Sequence, residues 1–502
     1  MKNKVFSFIS IIVLLNAQDP VGETAKQGDV AAKTPSDSPK KKSMEEALKN
    51  KKEIVGLFTM YQDTTSGKLF MLIKKEQLNK EYIHFIYGSN GHNNAGVNQG
   101  WPYYSRVLKL KKYFSRVEFE IQNNAFYFDP KNPLSRSSDS NVSTAILASS
   151  SIISDKDDKI LIGVDNVFLT EALHQITRGF IPGNPNKNPF KLGRLSKEKT
   201  KYFSIKNYPE NTDILVQYVY TNPLPTNRGS DEGITDPRSV NVSLQHSFIA
   251  VPQNDFKPRF EDPRIGYFTN KVTDMTEARD ATPYRDMIQR WNLEKKNPGQ
   301  ARSEVKEPIL WWIENTTPYE FRDAIKEGVL AWNKAFETAG LINAIDVKVQ
   351  PDDADWDAGD IRYNVIQWSS SPSPWFGGLG PRFTNPRTGQ ILGADVQLEY
   401  VYFTNRVKYE KLYDTFNQST FSGIGPSCEI GNIIQQGNLF GLTAIGSVDE
   451  FSQLEQHRII YESLVRLTLH EVGHCLGLNH NFFASQLHSL KNIHDRHITE
   501  PV

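Results

Sequence analysis

The chain has 502 residues, with 58 lysines and arginines against 58 aspartates and glutamates. That length can hold two or three domains with sizeable cores. The zero net charge excludes a global basic field for nucleic acid and an acidic, solvating role.

Lys2 and Lys4 precede an apolar run over residues 5–15, and Leu15-Asn16-Ala17 can serve as a cleavage site. Residues 1–17 are therefore expected to be a signal peptide, which predicts a secreted or periplasmic protein. The run is too short to span a bilayer and no later stretch could, so no transmembrane anchor is expected. Residues 18–50 are polar, with Lys40-Lys41-Lys42 among them, and read as a disordered linker.

From 51 to 252 the signals are mostly β. Residues 54–60, 69–73, 82–87, 107–111, 117–122, 126–128, 160–164, 214–220 and 240–251 are runs rich in β-branched and aromatic side chains between polar turns. They predict an antiparallel domain, either a sandwich or a partly closed barrel. Residues 169–176 read as one short helix. The Ser- and Asp-rich stretch 129–158 reads as a long exposed loop, and the glycine-rich stretch 88–101 as another.

Residues 253–305 form a charged connector in which Trp291 is expected to dock onto a domain. A second unit spans 306–484. A strand at 309–313 precedes a helix that starts with Thr317 as N-cap and Pro318 in the first turn. That helix buries Phe321, Ile325, Trp332 and Phe336, and stops at Gly340. Strands at 345–349 and 361–368 come next, so the crossover should make them parallel to the first. Residues 379–383 and 391–400 flank the turn Asn385-Pro386-Arg387-Thr388-Gly389 and predict a hairpin. Residues 401–452 read as a loop, and 485–502 as a tail.

The densest chemical signal is His470-Glu471-Val472-Gly473-His474-Cys475-Leu476-Gly477-Leu478-Asn479-His480. On a helix, expected over about 454–476, His470 and His474 share one face and can reach one metal ion. Gly477 can take positive φ and turn the chain so that His480 becomes a third ligand. Three neutral imidazoles leave one position of a tetrahedral Zn2+ open, the catalytic rather than the structural arrangement. Glu471 lies beside the ligands and is free to hold a water. The two cysteines, Cys428 and Cys475, leave open a disulfide or a buried packing thiol at Cys475.

The order of elements and the motif resemble the metzincin clan of zinc metallopeptidases. More narrowly, the chain resembles large bacterial zinc-dependent metalloproteases with a β-rich N-terminal domain of unknown function. The residues that carry this are Arg264-Ile265-Gly266-Tyr267-Phe268, Arg290-Trp291-Asn292-Leu293-Glu294-Lys295, Asp360-Ile361-Arg362-Tyr363-Asn364, Gly380-Pro381-Arg382, Ala394-Asp395-Val396 and the motif with Asn481-Phe482. The resemblance implies an α+β protein: a β-rich domain followed by a zincin domain with a mixed sheet, an antiparallel edge strand and an active-site helix. It also implies that His470, His474 and His480 bind zinc, that Glu471 is the general base, and that Gly378, Leu379 and Gly380 line the cleft for a protein or peptide substrate. Metzincins carry a methionine turn beneath the metal. Here the last methionine is Met287, so the chain is expected to lack the C-terminal subdomain. His480, beyond the Gly477 turn, is expected to depend on packing from residues C-terminal to it and to be mobile. An inactive zinc-binding module acting in protein binding is the alternative. An aminopeptidase-type site with Glu500 as third ligand fits the spacing less well.

Overall fold

Runs of β-branched and aromatic residues between Lys51 and Ala250 pair into one antiparallel sheet of twelve strands. The structure is a computed structural model. It describes residues 43–499 apart from 93–94, 96, 98, 177–189, 191, 226–232, 263, 280, 282, 371–376, 401–429, 447–451, 482–485 and 494. The expected signal peptide, most of the expected linker, and Cys428 lie outside the described residues.

In sheet order the strands are Lys51–Ile54, Thr59–Asp63, Leu69–Lys74, Lys159–Gly163, Ala145–Lys156, Arg116–Ile121, Pro102–Tyr113, Glu81–Asn90, Ser239–Ala250 and Asn211–Thr221. Arg194–Leu195 and Lys201–Asn207 both pair with the last of these. Leu57 N–H donates to Tyr208 O at 2.7 Å, and Phe58 N–H to Thr212 Oγ1 at 3.1 Å. The first strands thus return to the last ones, closer to a barrel than to a sandwich. Tyr82, Leu108, Phe119, Val216 and Phe248 fill the interior. Each large apolar side chain buried in this way contributes about 1.5–3 kcal/mol.

The second sheet is mixed. Ile309–Ile313 lies between Ile345–Val349 and Asn364–Ser369, both parallel to it, as the strand–helix–strand pattern predicts. Val396–Glu399 adds in parallel, and Gly378–Leu379 closes the edge in antiparallel sense. The hairpin around Asn385–Gly389 forms between Arg382–Thr384 and Ile391–Ala394. Helices Tyr319–Leu330 and Ser452–Cys475 pack together over this sheet, burying Ile325, Val329, Leu464 and Leu467. The two sheets meet where Ile83, Phe85 and Ile249 pack on Ile361 and Phe383. Asn211 ties that contact with a bond to Gly359 O at 2.8 Å and one from Ile361 N–H at 3.2 Å. The arrangement is broadly α+β.

Five local expectations are corrected. Residues 145–156, within the stretch read as a loop, form a strand held on both sides. The serines there sit in a sheet interior, and Ser150 Oγ donates to Gly163 O. The short helix is Asp165–Phe168, not residues 169–176. It is placed by Asp165, whose carboxylate accepts Leu69 N–H at 3.0 Å and Tyr202 OH at 3.0 Å. The helix from 319 is interrupted at Ala331, after which Trp332–Thr338 continues. Thr317 does not cap it; its hydroxyl is buried without a partner among the described residues. Part of the stretch read as the loop 401–452 is the helix Ile430–Gly446, 17 residues without a charge.

A buried polar pair lies inside the first sheet. The rings of His84 and His246 stack at 5.5 Å inside the first sheet, with His84 Nε2 3.2 Å from His246 Nδ1. His246 Nε2 is 2.9 Å from Tyr218 OH. Burial pushes His246 down to about 3 and His84 well below the usual histidine range, helped by the other positive groups nearby. A histidine with a depressed folded pKa contributes stability above its unfolded value of about 6.5 and loses it as pH falls. These two histidines should therefore lower the melting temperature of metal-free protein from pH 7 to pH 5, against the opposite contribution of buried carboxyls such as Asp213, whose pKa burial raises to about 7. Each such histidine should contribute a slope approaching about 1.4 kcal/mol per pH unit. His246→Asn should reduce the histidine contribution; the same pH dependence of melting in wild type and that variant would contradict this.

Candidate metal centre

The helix Ser452–Cys475 positions the site, because one of its faces is sealed into the core. Leu464, Leu467, Thr468, Glu471, Val472 and Cys475 follow helical spacing and are all buried. His470 and His474 flank that stripe at the rim, half-buried, one turn apart. Trp332 Nε1–H donates to Leu469 O at 2.9 Å, and Trp291 Nε1–H to Cys475 O at 2.9 Å. Trp291 thus docks the connector as expected, on a carbonyl that the end of the helix leaves open.

Gly477 has φ +100°, and the backbone turns there as the spacing required. The turn brings His480 Nε2 to 3.2 Å from His470 Nε2. One ligand nitrogen from each of His470, His474 and His480 lies within 4.8 Å of the others. Tetrahedral zinc with bonds of about 2.0–2.1 Å needs ligand nitrogens roughly 3.3 Å apart, so the donor set fits that ion. His474 Nδ1 is 2.9 Å from Leu478 O, which turns Nε2 toward its two partners. Burial holds His470 down to about 4 and lowers His474 as well, each also repelled by neighbouring imidazoles. Both are thus neutral donors at pH 7, the state a metal requires.

Glu471 is 1% exposed, and neither carboxylate oxygen has a hydrogen-bond partner among the described residues. Burial alone pushes its pKa up to about 8. The edge strand lies directly on it: a Cβ at Gly378 would sit 2.6 Å from Glu471 Cγ. A Cβ at Gly380 would sit 2.7 Å from Glu471 O and 2.9 Å from Cys475 Sγ. Only glycines allow this strand to approach the helix so closely. Gly378, Leu379 and Gly380 are thus brought beside Glu471. Gly100, from the glycine-rich loop of the β-rich region, lies against Leu379.

Cys475 carries a free, fully buried thiol that donates to Asp395 O at 3.5 Å. It behaves as a packing residue. An upstream segment contacts the turn that carries the third expected ligand. Phe268 N–H donates to Gly477 O at 2.9 Å, and Asn479 N–H donates to Gly266 O at 3.1 Å. The phenyl ring of Phe268 also stands edge-on to His474, with centroids 5.6 Å apart. Sequence reasoning marked 264–268 and 290–295 as notable stretches but assigned no residue of 264–268 to the site. Nothing in their spacing relates them to residue 480.

Residues 452–501 match the profile of a family described as Met-zincin, and residues 104–296 match that of a domain of unknown function (DUF5117). No curated protein and no solved structure matches the chain. The Met-zincin match spans the motif helix and His480. With the three-histidine cluster it supports a metzincin-like zinc site.

Gly378→Val should force either the edge strand or Glu471 to move. Overpacking of this kind costs about 1–3 kcal/mol. Urea unfolding should show a lower midpoint at an unchanged slope; a midpoint equal to that of the wild type would show that the strand is free to shift.

Proposed function

We propose that this chain is a zinc metalloendopeptidase that hydrolyses internal peptide bonds in a protein or peptide substrate. The observation that carries this reading is the convergence of three imidazoles beside a buried carboxyl group that has no hydrogen-bond partner among the described residues. His470, His474 and His480 would hold the ion. When bound, zinc supplies a Lewis acid for the scissile carbonyl and for the attacking water.

Glu471 is the general base in this reading. Its carboxyl is poised by burial, and positive charge held at the histidines would draw it back toward the ionised form. It takes a proton from the attacking water and passes it to the leaving amine. Among the described residues neither oxygen has another partner, which leaves both available for that transfer.

The substrate would lie extended along Gly378–Leu379, at the edge of the mixed sheet. Main-chain groups of Gly378, Leu379 and Gly380 would bind it as an added strand. That mode recognises backbone first and side chains second, which suits an endopeptidase. Residues 1–17 would export the enzyme to the periplasm or beyond the cell. No nucleic-acid partner is proposed.

Glu471→Gln should retain one zinc per chain by atomic absorption while losing casein cleavage by about 10²–10⁴-fold. Wild-type turnover in that variant would remove Glu471 from the role of base. Stoichiometric zinc with no cleavage of casein or a peptide library by the wild type would favour an inactive binding module.

A further inference from the structure

The motif helix can place His470 and His474 by itself, but His480 stands beyond a turn. Residues 266–268 and 289–291, far upstream in the chain, hold that turn. Tyr267 and Leu478 form an antiparallel bridge, flanked by the bonds from Phe268 N–H to Gly477 O and from Asn479 N–H to Gly266 O. Gln289 closes the other side. Its carbonyl oxygen would lie 2.0 Å from a Cβ on Gly477, and its N–H donates to Phe268 O at 2.8 Å.

Side chains continue the support beneath the histidines. The Phe268 ring meets His474. The Arg382 guanidinium also packs on the Phe268 ring, 3.6 Å from the ring centroid. Arg382 Nε donates in turn to Gln289 Oε1. Desolvation holds Arg382 down to about 10, so it is still charged at neutral pH and can bind the aromatic face. Trp291 adds its bond to Cys475 O at the helix end. His474, Phe268, Arg382 and Gln289 thus form one contiguous stack.

We propose that residues 266–268 and 289–291 fix the third metal ligand, with Phe268 as a positioning residue for His474 and for the turn that carries His480. This rests on the reading of residues 470–480 as a zinc site. It gives a task to the end of the stretch matched by the domain of unknown function, which runs to residue 296 and so contains every one of these residues. That stretch supplies the floor of a metal site whose ligands lie more than 170 residues later in the chain. The physical reason is ordering. A ligand already held by a paired backbone does not have to be immobilised when the metal arrives.

The test uses the full chain and the metal alone. Zn2+ affinity is measured by competition with a chromogenic chelator, and ligand geometry by the visible spectrum of the Co2+ form. Phe268→Leu keeps apolar volume but removes the flat ring. It should weaken zinc binding about ten- to a hundredfold, as loss of an outer-shell partner does, and alter the Co2+ bands. Phe268→Tyr should restore both. Unchanged affinity and spectrum in Phe268→Leu, with binding lost in His474→Ala, would overturn the support while leaving the zinc site intact. Wild-type zinc binding in His474→Ala would instead overturn the zinc reading itself. A measurement on the unaltered protein covers a variant that fails to fold. In the metal-free chain, the amide of Asn479 should be protected from hydrogen exchange by its bond to Gly266 O. Exchange at the rate of an unstructured peptide would overturn the proposal.

Discussion

Burial of one face of the helix Ser452–Cys475 against the mixed sheet is the constraint on which the rest of the site depends. Leu464, Leu467, Val472 and Cys475 are removed from solvent, and each large apolar side chain so buried contributes on the order of 1.5–3 kcal/mol. That anchoring carries Glu471 inward with the apolar residues while leaving His470 and His474 at the rim. A carboxyl group in that position loses its hydration, and the whole rise of its pKa to about 8 comes from that loss. The same helix geometry therefore separates two kinds of side chain: imidazoles that converge at the rim, where they could hold a metal, and a carboxyl group that faces the edge strand.

The edge strand answers this placement. With side chains at 378 and 380 it could not approach, and Glu471 would sit in an open trough rather than under a backbone. Close approach at the edge and burial of Glu471 are thus one packing solution. The mixed topology serves it. Four parallel strands form the scaffold, and the short antiparallel strand Gly378–Leu379 brings main-chain groups to the edge beside Glu471.

Two contacts, among others, join the β-rich region and the connector to the second sheet and the motif helix. One is the apolar patch of Ile83, Phe85 and Ile249 on Ile361 and Phe383, pinned by Asn211. The other is the connector, which pairs with the backbone on the far side of the motif helix. The first joins the two sheets; the second reaches the histidines. All described residues accordingly belong to one compact unit, which spans Lys42–Val502.

Much of this was legible in the chain itself, because it rests on local periodicity. The three-four spacing of apolar residues marks the motif helix, the i, i+4 histidines follow from its pitch, and Gly477 stands where positive φ is needed. The parallel crossover and the hairpin around Asn385–Gly389 obey equally local rules. Composition misled where context prevailed. The serines between 145 and 156 look like a loop but lie between two partner strands, which supply backbone bonds that no propensity records. The helix Ile430–Gly446 lacks charge, so its pattern did not separate it from a loop. By itself the sequence determined the donor set, its order on a helix and the turn after it, since these depend on residues within a few turns of each other. Only the tertiary structure decided that Glu471 is dry, that Gly378 and Gly380 touch it, and that Phe268 and Gln289 hold the turn before His480. Those contacts join residues 90 to 210 positions apart, and their energies come from packing that exists only once both sheets have formed.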